Sequence, residues 1–247
     1  MIFETHAHYD DEQFDVDRED LLARLPKENI ETVINVGASF AGAKNSFALA
    51  HKYPYIYAAV GVHPSNIEDL SEETMEELRT MAKDKKTVAI GEIGLDYYWD
   101  KEADVQAAQR EWFRRQLALA KEVALPVIIH SRDAAADTLE IMKEAHAMDV
   151  PGVIHCYSYS PEIAKEYVKM GYYIGVGGVV TFKNGRKLKE TVEQIPLNRI
   201  LLETDAPYMT PEPFRGMRND STYIPYVIET IAKVKEITQD EVMITTR

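Results

Sequence analysis

The feature that most constrains the fold is an alternation of short apolar, β-branched runs with longer helical patterns along all 247 residues. The runs are continuously apolar, which is typical of strands buried on both faces of a parallel sheet. We therefore expect eight strands, separated by helices. The predicted strands are Ile2–His6, Thr32–Gly37, Ile56–His63, Thr87–Glu92, Pro126–His130, Gly152–Cys156, Tyr172–Gly178 and Arg199–Asp205.

Several helix ends can be predicted between these strands. Ser71 precedes two glutamates, which predicts an N-cap with acids in the first turn. Ser160–Pro161 predicts a second start, with proline at the first helical position and Gly171 as the stop. Thr238–Glu241 has the spacing of a capping box. The longest helix is predicted from Asp104 to Ala124, with an apolar stripe facing the core at Trp112, Phe113, Leu117 and Ala120.

Eight strand–helix units predict a TIM (β/α)8 barrel, with an open doubly wound sheet as the alternative. The two differ in whether the first and last strands are neighbours, so a site shared by residues ending both strands requires a closed sheet. No linker-like segment interrupts the chain, and a single domain over 1–247 is expected. Because the chain stops at Thr245–Arg247, within a predicted helix, we expect a few closing residues to be absent.

Composition limits the class of protein. A net charge of −13 disfavours a broad basic surface for duplex nucleic acid. No apolar run reaches the roughly 18 residues of a membrane span, and no secretory signal is visible. The one cysteine, Cys156, excludes an internal disulfide and fits a cytoplasmic setting. Strand alternation predicts that its thiol points away from any site formed by its neighbours.

Histidines are concentrated where predicted strands end. His6 and His8, at i and i+2, are predicted to share one face of the first strand and to form half of a metal site, the alternative being two surface histidines. Five of the seven histidines end a predicted strand, whereas His51 and His146 fall in helical patterns. The carboxyl ends of strands are where a TIM barrel builds its active site. The five are His6, His8, His63, His130 and His155.

Two carboxylates complete a set of six predicted metal ligands. Glu92 and Asp205 also end predicted strands, and one tetrahedral ion does not need six ligands. We therefore expect two divalent ions, zinc, manganese or less comfortably magnesium, with Glu92 as a shared ligand. Paired ions can activate a water, which indicates hydrolysis. The first ion is assigned His6, His8, Glu92 and Asp205, and the second Glu92, His130 and His155.

Seven segments resemble the TatD family of metal-dependent deoxyribonucleases within the amidohydrolase superfamily. They are ETHAHYD, GVHPSN, GEIGLDYYWD, IIHSRDA, IHCYSYS, GVGGVVTFKN and LLETDAPYMTPEPFRGMRN, and the resemblance runs from residue 2 to about residue 235. The resemblance implies a TIM barrel, a divalent-metal site and exonucleolytic cleavage of DNA. Glu4 replaces the aspartate usual in the family, and we expect a changed orientation there without loss of metal.

Further residues are candidates for chemistry beside the metals. Glu203 is predicted to be a base or to orient water, the alternative being a salt bridge, and Asp205 could accept a proton while binding metal. His63 is predicted to contact a phosphate oxygen or protonate the leaving group, the alternative being a loop cap. Arg215 and Arg218 are predicted to bind substrate phosphate, the alternative being pairs with acids of this chain.

Residues that follow two other strands could line the opening of the same predicted site. Lys183 and Arg186 follow the seventh strand, and Gly177–Gly178 would allow close approach of a substrate. The aromatic run Tyr97–Trp99 follows the fourth strand and could stack on bases, with packing as the alternative.

The leading hypothesis is a two-metal phosphodiesterase acting on DNA ends or single-stranded DNA, with no membrane partner and no obligate protein partner. The alternative is an amide, ester or lactone hydrolase that uses the same activated water on a carbonyl. A third possibility is a metal-stabilised binding protein, but a barrel has its own core and does not need metal to fold.

Overall fold

The structure is a computed structural model that describes residues 1–145 and 149–247. Within these ranges eight strands form one sheet, in which each strand is hydrogen-bonded to the next in chain order. The strands are β1 (Ile2–Ala7), β2 (Ile30–Val36), β3 (Ile56–Val60), β4 (Thr87–Asp96), β5 (Val127–Arg132), β6 (Gly152–Ile154), β7 (Tyr173–Val176) and β8 (Ile200–Leu202).

A helix follows every strand, and one more closes the described chain. No helix in these ranges combines the length and the apolar character needed to cross a lipid bilayer. The helices are α1 (Arg18–Arg24), α2 (Phe40–Lys52), α3 (Glu72–Ala82), α4 (Ala103–Val123), α5 (Ala135–Glu144), α6 (Pro161–Lys169), α7 (Arg186–Gln194), α8 (Ile224–Lys235) and α9 (Gln239–Thr245).

The chain forms two compact units. The first unit comprises Met1–Ile34, Cys156–Lys169 and Tyr173–Arg247, and the second comprises Asn35–His155 and Met170–Tyr172. The expectation of a single domain over 1–247 remains a prediction.

In the second unit, parallel pairing aligns the carboxyl ends of β4 and β5. Gly94 lies opposite His130 and Asp96 lies opposite Arg132, after an irregular register between Ile90 and Ile93. Nearly all of β4 is buried. The residues at these two strand ends are therefore held by the sheet itself.

In the first unit, the segment after β8 pairs with the end of β1. Ala7 and Ala206 form a parallel bridge. The backbone N–H of His8 donates to the carbonyl of Ala206 at 2.8 Å, and that of Asp205 donates to the carbonyl of His6 at 3.0 Å. Because the first and last strands pair, the sheet is closed: the predicted TIM (β/α)8 barrel is confirmed, and the open doubly wound sheet is excluded.

The predicted strand ends differ from the observed ones where the backbone leaves the extended conformation. Cys156 has φ 43° and Asp205 has φ 59°, values that no strand accommodates. As a result, β6 and β8 end before the polar residues predicted to close them. Those residues lie in loops, and the turn conformation sets the direction of their side chains. Glu92 does not end β4, which continues to Asp96.

The predicted helix starts are confirmed. The Ser71 hydroxyl accepts the Thr74 N–H at 3.2 Å and the Thr74 hydroxyl accepts the Ser71 N–H at 2.7 Å, a complete capping box. Thr238 accepts the N–H of Glu241 at 3.1 Å at the start of α9. Pro161 is the first residue of α6.

The predicted apolar stripe of α4 is only partly correct. Phe113, Leu117 and Ala120 are buried, but Trp112 is only partly buried. His51 lies in α2 as expected, whereas His146 falls outside the described residues.

Candidate metal centre

The end of β1 and the residue that follows β8 bring three donor side chains together. The Nε2 atoms of His6 and His8 are 3.0 Å apart. Oδ1 of Asp205 lies 3.8 Å from Nε2 of His6 and 3.5 Å from Nε2 of His8. We call these three residues the HxH cluster. Both imidazoles are buried, so their nitrogens converge in a place with little access to water.

Glu4 holds the backbone around the HxH cluster in position. Its Oε1 accepts the N–H of His6 and the N–H of Thr204, both at 3.0 Å, and its Oε2 accepts the Ser221 hydroxyl at 3.0 Å. Burial raises the pKa of the Glu4 carboxyl to about 8, although the backbone and side-chain hydrogen bonds oppose that shift. Glu4 is therefore a scaffold for the backbone that carries these donors, and the expected retention of metal stays a prediction.

A second group of donors surrounds Oε1 of Glu92. Nδ1 of His130 lies 2.9 Å from that oxygen, Nε2 of His155 lies 3.8 Å from it, and Nε2 of His63 lies 3.9 Å from it. We call these four residues the Glu92 cluster. Glu92 and His155 are buried, and His63 and His130 are mostly buried.

Asp96 completes the Glu92 cluster and was not assigned a role from the sequence. Its Oδ2 lies 3.0 Å from Nε2 of His130. A histidine that donates one ring N–H to a carboxylate keeps the other nitrogen free to bind metal, which is the usual arrangement at protein metal sites. The signal was available, because Glu92 and Asp96 are four residues apart on one strand and so face the same way.

The pKa shifts of His130 and Asp96 agree with the hydrogen bond between them. Burial alone would lower the pKa of His130, but hydrogen bonds to Asp96 and Glu92 raise it overall. Burial alone would raise the pKa of Asp96, but the hydrogen bond from His130 and the N–H of Trp99 lower it overall. In the metal-free protein, the pair thus favours an imidazolium beside a carboxylate.

His63 caps a loop, which was the alternative considered for it, and its role toward a phosphate or a leaving group stays a prediction. Its Nδ1 accepts the N–H of Ser65 at 3.1 Å, which caps the helical turn Pro64–Asp69. A nitrogen that accepts a hydrogen bond carries no proton, so the proton of the neutral ring is on Nε2. That atom is the one near Glu92, and the cap therefore presents an N–H donor to the cluster.

Glu203 is buried beside β7. Its Oε1 accepts the N–H of Cys156 at 2.7 Å. A Cβ at Gly175 would lie 2.3 Å from Oε2 of Glu203, so only glycine leaves room for this carboxylate. The role of Glu203 as a base stays a prediction, and so does the salt bridge considered as its alternative.

Cys156 does not turn away from the site, and that expectation was wrong. A donor oxygen of Asp205 and Sγ of Cys156 lie within 4.8 Å of one another. Strand alternation does not apply, because Cys156 lies beyond the end of β6 with φ 43°. The turn that carries it also directs its N–H to Glu203.

The two predicted phosphate-binding arginines differ in their surroundings. Arg218 forms a bidentate pair with Asp17 at 2.7 and 2.6 Å and donates to the carbonyl of Gln13 at 2.7 Å. Arg215 is exposed, and its guanidinium lies 3.6 Å from the ring centroid of Phe182. Arg215 therefore retains its donors for a phosphate, whereas those of Arg218 are largely used within the chain.

The residues proposed around the seventh strand differ in their surroundings. Arg186 pairs with Glu190 at 2.7 Å, and Lys183 is exposed. A Cβ at Gly178 would lie 1.9 Å from the carbonyl oxygen of Met209. The glycine there makes room for the loop after β8, so its presence gives no sign of a substrate.

Both clusters have the chemistry of a divalent-metal site. Two imidazole nitrogens bound to one ion at about 2.0–2.1 Å lie about 3.0–3.4 Å apart, and the separation in the HxH cluster is 3.0 Å. Each cluster joins imidazoles to a carboxylate, a set suited to zinc or manganese. The residues present therefore fit the group that the sequence predicted.

Comparison with known proteins agrees with the site. The profile of a family described as TatD related DNase matches residues 3–247. Metal-dependent hydrolase YabD of Bacillus subtilis is 46% identical over 98% of this chain and 94% of its own length. Metal-dependent hydrolase YcfH of Escherichia coli is 34% identical over 98% of this chain and 91% of its own length.

A solved structure shares the fold over its whole length. The crystal structure of YjjV, a TatD homologue from Escherichia coli K12, superimposes with a TM-score of 0.91 and 32% identity over 99% of this chain and 94% of that one. The strand order, the two donor clusters and these likenesses lead to one conclusion: the chain belongs to the TatD family and is a metal-dependent hydrolase.

Proposed function

We propose that the chain is a deoxyribonuclease that hydrolyses phosphodiester bonds at DNA ends with the help of two divalent ions. The observation that carries the proposal is that each unit holds its own cluster of imidazole and carboxylate donors at or near strand ends. In a TIM barrel all these ends belong to one face. The proposed ligands are His6, His8 and Asp205 for one ion, His130 and His155 for the other, and Glu92 for both.

Divalent ions bound there would polarise a phosphoryl oxygen and lower the pKa of water. The protein supplies the proton transfers around them. Glu203 is fixed by the N–H of Cys156 and can orient a water or accept its proton, with Asp205 as a second acceptor. The Nε2–H of His63 can donate a hydrogen bond to a phosphate oxygen or to the departing oxygen, because its Nδ1 accepts the N–H of Ser65 and the neutral ring keeps its proton.

The substrate side of the proposal rests on charge and on the family. With a net charge of −13 the chain lacks the cationic surface that long duplex contacts use, which favours free ends and single strands. Arg215 is the exposed arginine proposed to hold a phosphate. The description of the family as TatD related DNase supports DNA as the substrate.

The test is cleavage of end-labelled single- and double-stranded DNA by metal-stripped protein to which Mg²⁺, Mn²⁺ or Zn²⁺ is added back. We expect a ladder that grows from one end only when metal is present. Glu92→Gln should abolish it, and the metal content by mass spectrometry should fall from two ions per chain. Glu140→Gln, an exposed acid on α5, is the matched control and should behave as wild type.

A different result would redirect the proposal. If two ions bind and no DNA is cut with any metal, the phosphodiester assignment is wrong. The same protein would then be assayed on esters, lactones and amides, since an activated water can also attack a carbonyl. Activity that survives Glu92→Gln would remove the shared-ligand arrangement and with it the two-ion chemistry.

A further inference from the structure

Two large aromatic side chains are left exposed just after β4. Tyr98 is 43% exposed and Trp99 is 66% exposed. Their ring centroids are 4.7 Å apart and the rings are nearly perpendicular, at 87°. The two rings therefore meet edge to face, and the indole of Trp99 keeps a face open to solvent. Exposed aromatic surface of this kind often marks a binding site.

Arg132, at the end of β5, completes this corner. Its guanidinium carbon lies 3.8 Å from the ring centroid of Tyr98 and 5.5 Å from that of Trp99. Among the described residues it forms no ion pair, although eight other arginines do. In a chain with a net charge of −13, a cation without a carboxylate is available to an anion from outside. We call Tyr98, Trp99 and Arg132 the aromatic corner.

The aromatic corner is fixed to the Glu92 cluster by one side chain. Oδ1 of Asp96 accepts the N–H of Tyr98 at 3.0 Å and that of Trp99 at 3.1 Å. Oδ2 of the same carboxylate lies 3.0 Å from Nε2 of His130. The sheet register also places Asp96 opposite Arg132. A ligand held by the corner would therefore lie at a fixed position relative to the candidate metal ligands.

We propose that the aromatic corner is a nucleobase subsite for single-stranded DNA, in which a base stacks on the indole of Trp99 and a neighbouring phosphate binds Arg132. A π-face beside an unpaired guanidinium matches a base joined to a phosphate. In a duplex the faces of the bases are covered by their neighbours, so the subsite takes single strands or frayed ends. The subsite rests on the proposed function, because it positions the strand for the reaction at the metals.

The test uses binding without cleavage. The sequence has two tryptophans, so Trp112→Phe leaves Trp99 as the sole emitter. With EDTA present, oligothymidylate of about eight nucleotides should quench its fluorescence to saturation. Trp99→Ala should weaken binding of the labelled oligonucleotide by about 5- to 150-fold, the effect of losing one base–aromatic stack. Arg132→Gln should reduce the slope of log affinity against log salt by about 0.7, the share of one phosphate contact.

The chain offers a matched control pair. The guanidinium of Arg115 lies 4.4 Å from the ring centroid of Trp112, but Arg115 is paired with Glu72 at 2.6 Å. Trp112→Phe and Arg115→Gln should leave DNA affinity unchanged. An oligonucleotide with abasic residues and the same number of phosphates should bind weakly to wild type and should lose nothing further in Trp99→Ala.

Other outcomes would overturn either the subsite or the proposed nuclease. Equal affinity of wild type for the abasic and the normal oligonucleotide would mean that phosphates alone are bound. Cleavage of DNA by Trp99→Ala with unchanged KM, together with no quenching of Trp99, would remove the subsite and leave the proposed nuclease standing. Quenching of Trp99 in Trp112→Phe, together with weakened binding by Trp99→Ala, in a protein that cuts no DNA with any metal would support the subsite and remove the nuclease.

Discussion

Asp96 shows how a residue outside the proposed ligand set can set the properties of a proposed metal ligand. Its carboxylate is hydrogen-bonded to Nε2 of His130, while Nδ1 of the same ring faces Glu92. We predict that Asp96→Asn lowers metal affinity at the Glu92 cluster by about 10- to 100-fold, because the imidazole loses the carboxylate that orients it. Competition with a fluorescent zinc chelator measures this. Asp137→Asn, which alters a carboxylate bonded to Tyr97, is the control and should bind metal normally. Unchanged affinity in Asp96→Asn would contradict the role.

Gly175 and Glu203 share one space in the first unit. An added methyl group at Gly175 would meet Oε2 of Glu203 at 2.3 Å, and the carboxylate would have to move. We predict that Gly175→Ala destabilises the protein by about 1–3 kcal/mol, the usual cost of overpacking a buried site. In a Glu203→Ala background the same change should cost much less, since the clash is gone. Urea unfolding of the four proteins tests this, and equal costs in both backgrounds would show that the strain lies elsewhere.

At the scale of elements, the loop after β8 is tied to the start of α1. Asp17 occupies the N-cap position of α1, but its carboxylate bonds Arg218 and makes no cap hydrogen bond. Arg218 also stacks on Phe14, with 4.5 Å between its guanidinium carbon and the ring centroid. This arrangement suits a structural tie between two segments distant in sequence.

We predict that Arg218→Ala lowers stability by about 1 kcal/mol at neutral pH, a modest value because both side chains are partly exposed. The hydrogen bond from Arg218 lowers the pKa of Asp17. The contribution of the pair is therefore present above the unfolded-state pKa of about 3.9 and is lost as the pH falls through the lower folded value. The difference in Tm between wild type and Arg218→Ala should shrink below about pH 4. A difference that persists there would show that charge is not its source.

The two arginines of the same loop are expected to differ in their effect on KM for DNA. Since Arg215 is exposed and Arg218 is paired, Arg215→Ala should raise KM for DNA several-fold while Arg218→Ala should leave KM unchanged. Steady-state cleavage by the two variants at equal metal loading measures this. The reverse ranking would restore Arg218 as the phosphate contact and would make its pair with Asp17 a resting state of the free protein.

The strand and helix pattern could be predicted because it depends on local signals, such as apolar runs and the cap at Ser71. The histidines of both clusters could be placed because parallel strands end on one side of a sheet. The direction of Cys156 could not, because its turn has φ 43°, which alternation does not anticipate. Nor could the space between Gly175 and Glu203, since it depends on the register of β7 against β8, which the sequence of neither strand sets on its own.

At the scale of the whole molecule, the charge of the chain limits how the proposed DNA substrate could be held. A net charge of −13 repels a polyanion, so we expect any affinity for DNA to come from local contacts at the proposed metals, the aromatic corner and Arg215. We predict a shallow dependence of metal-free single-strand binding on salt, with a slope of log affinity against log salt near about −1.4, the value for two phosphates released from a single strand. Fluorescence anisotropy between low and moderate salt in EDTA measures the slope. Arg132→Gln and Arg215→Ala should each remove about half of it, and Lys52→Gln, on α2, should remove none. A slope steeper than about −4 would mean six or more phosphate contacts, an extended cationic track that the composition of this chain does not provide, and binding by a few local groups would then be wrong.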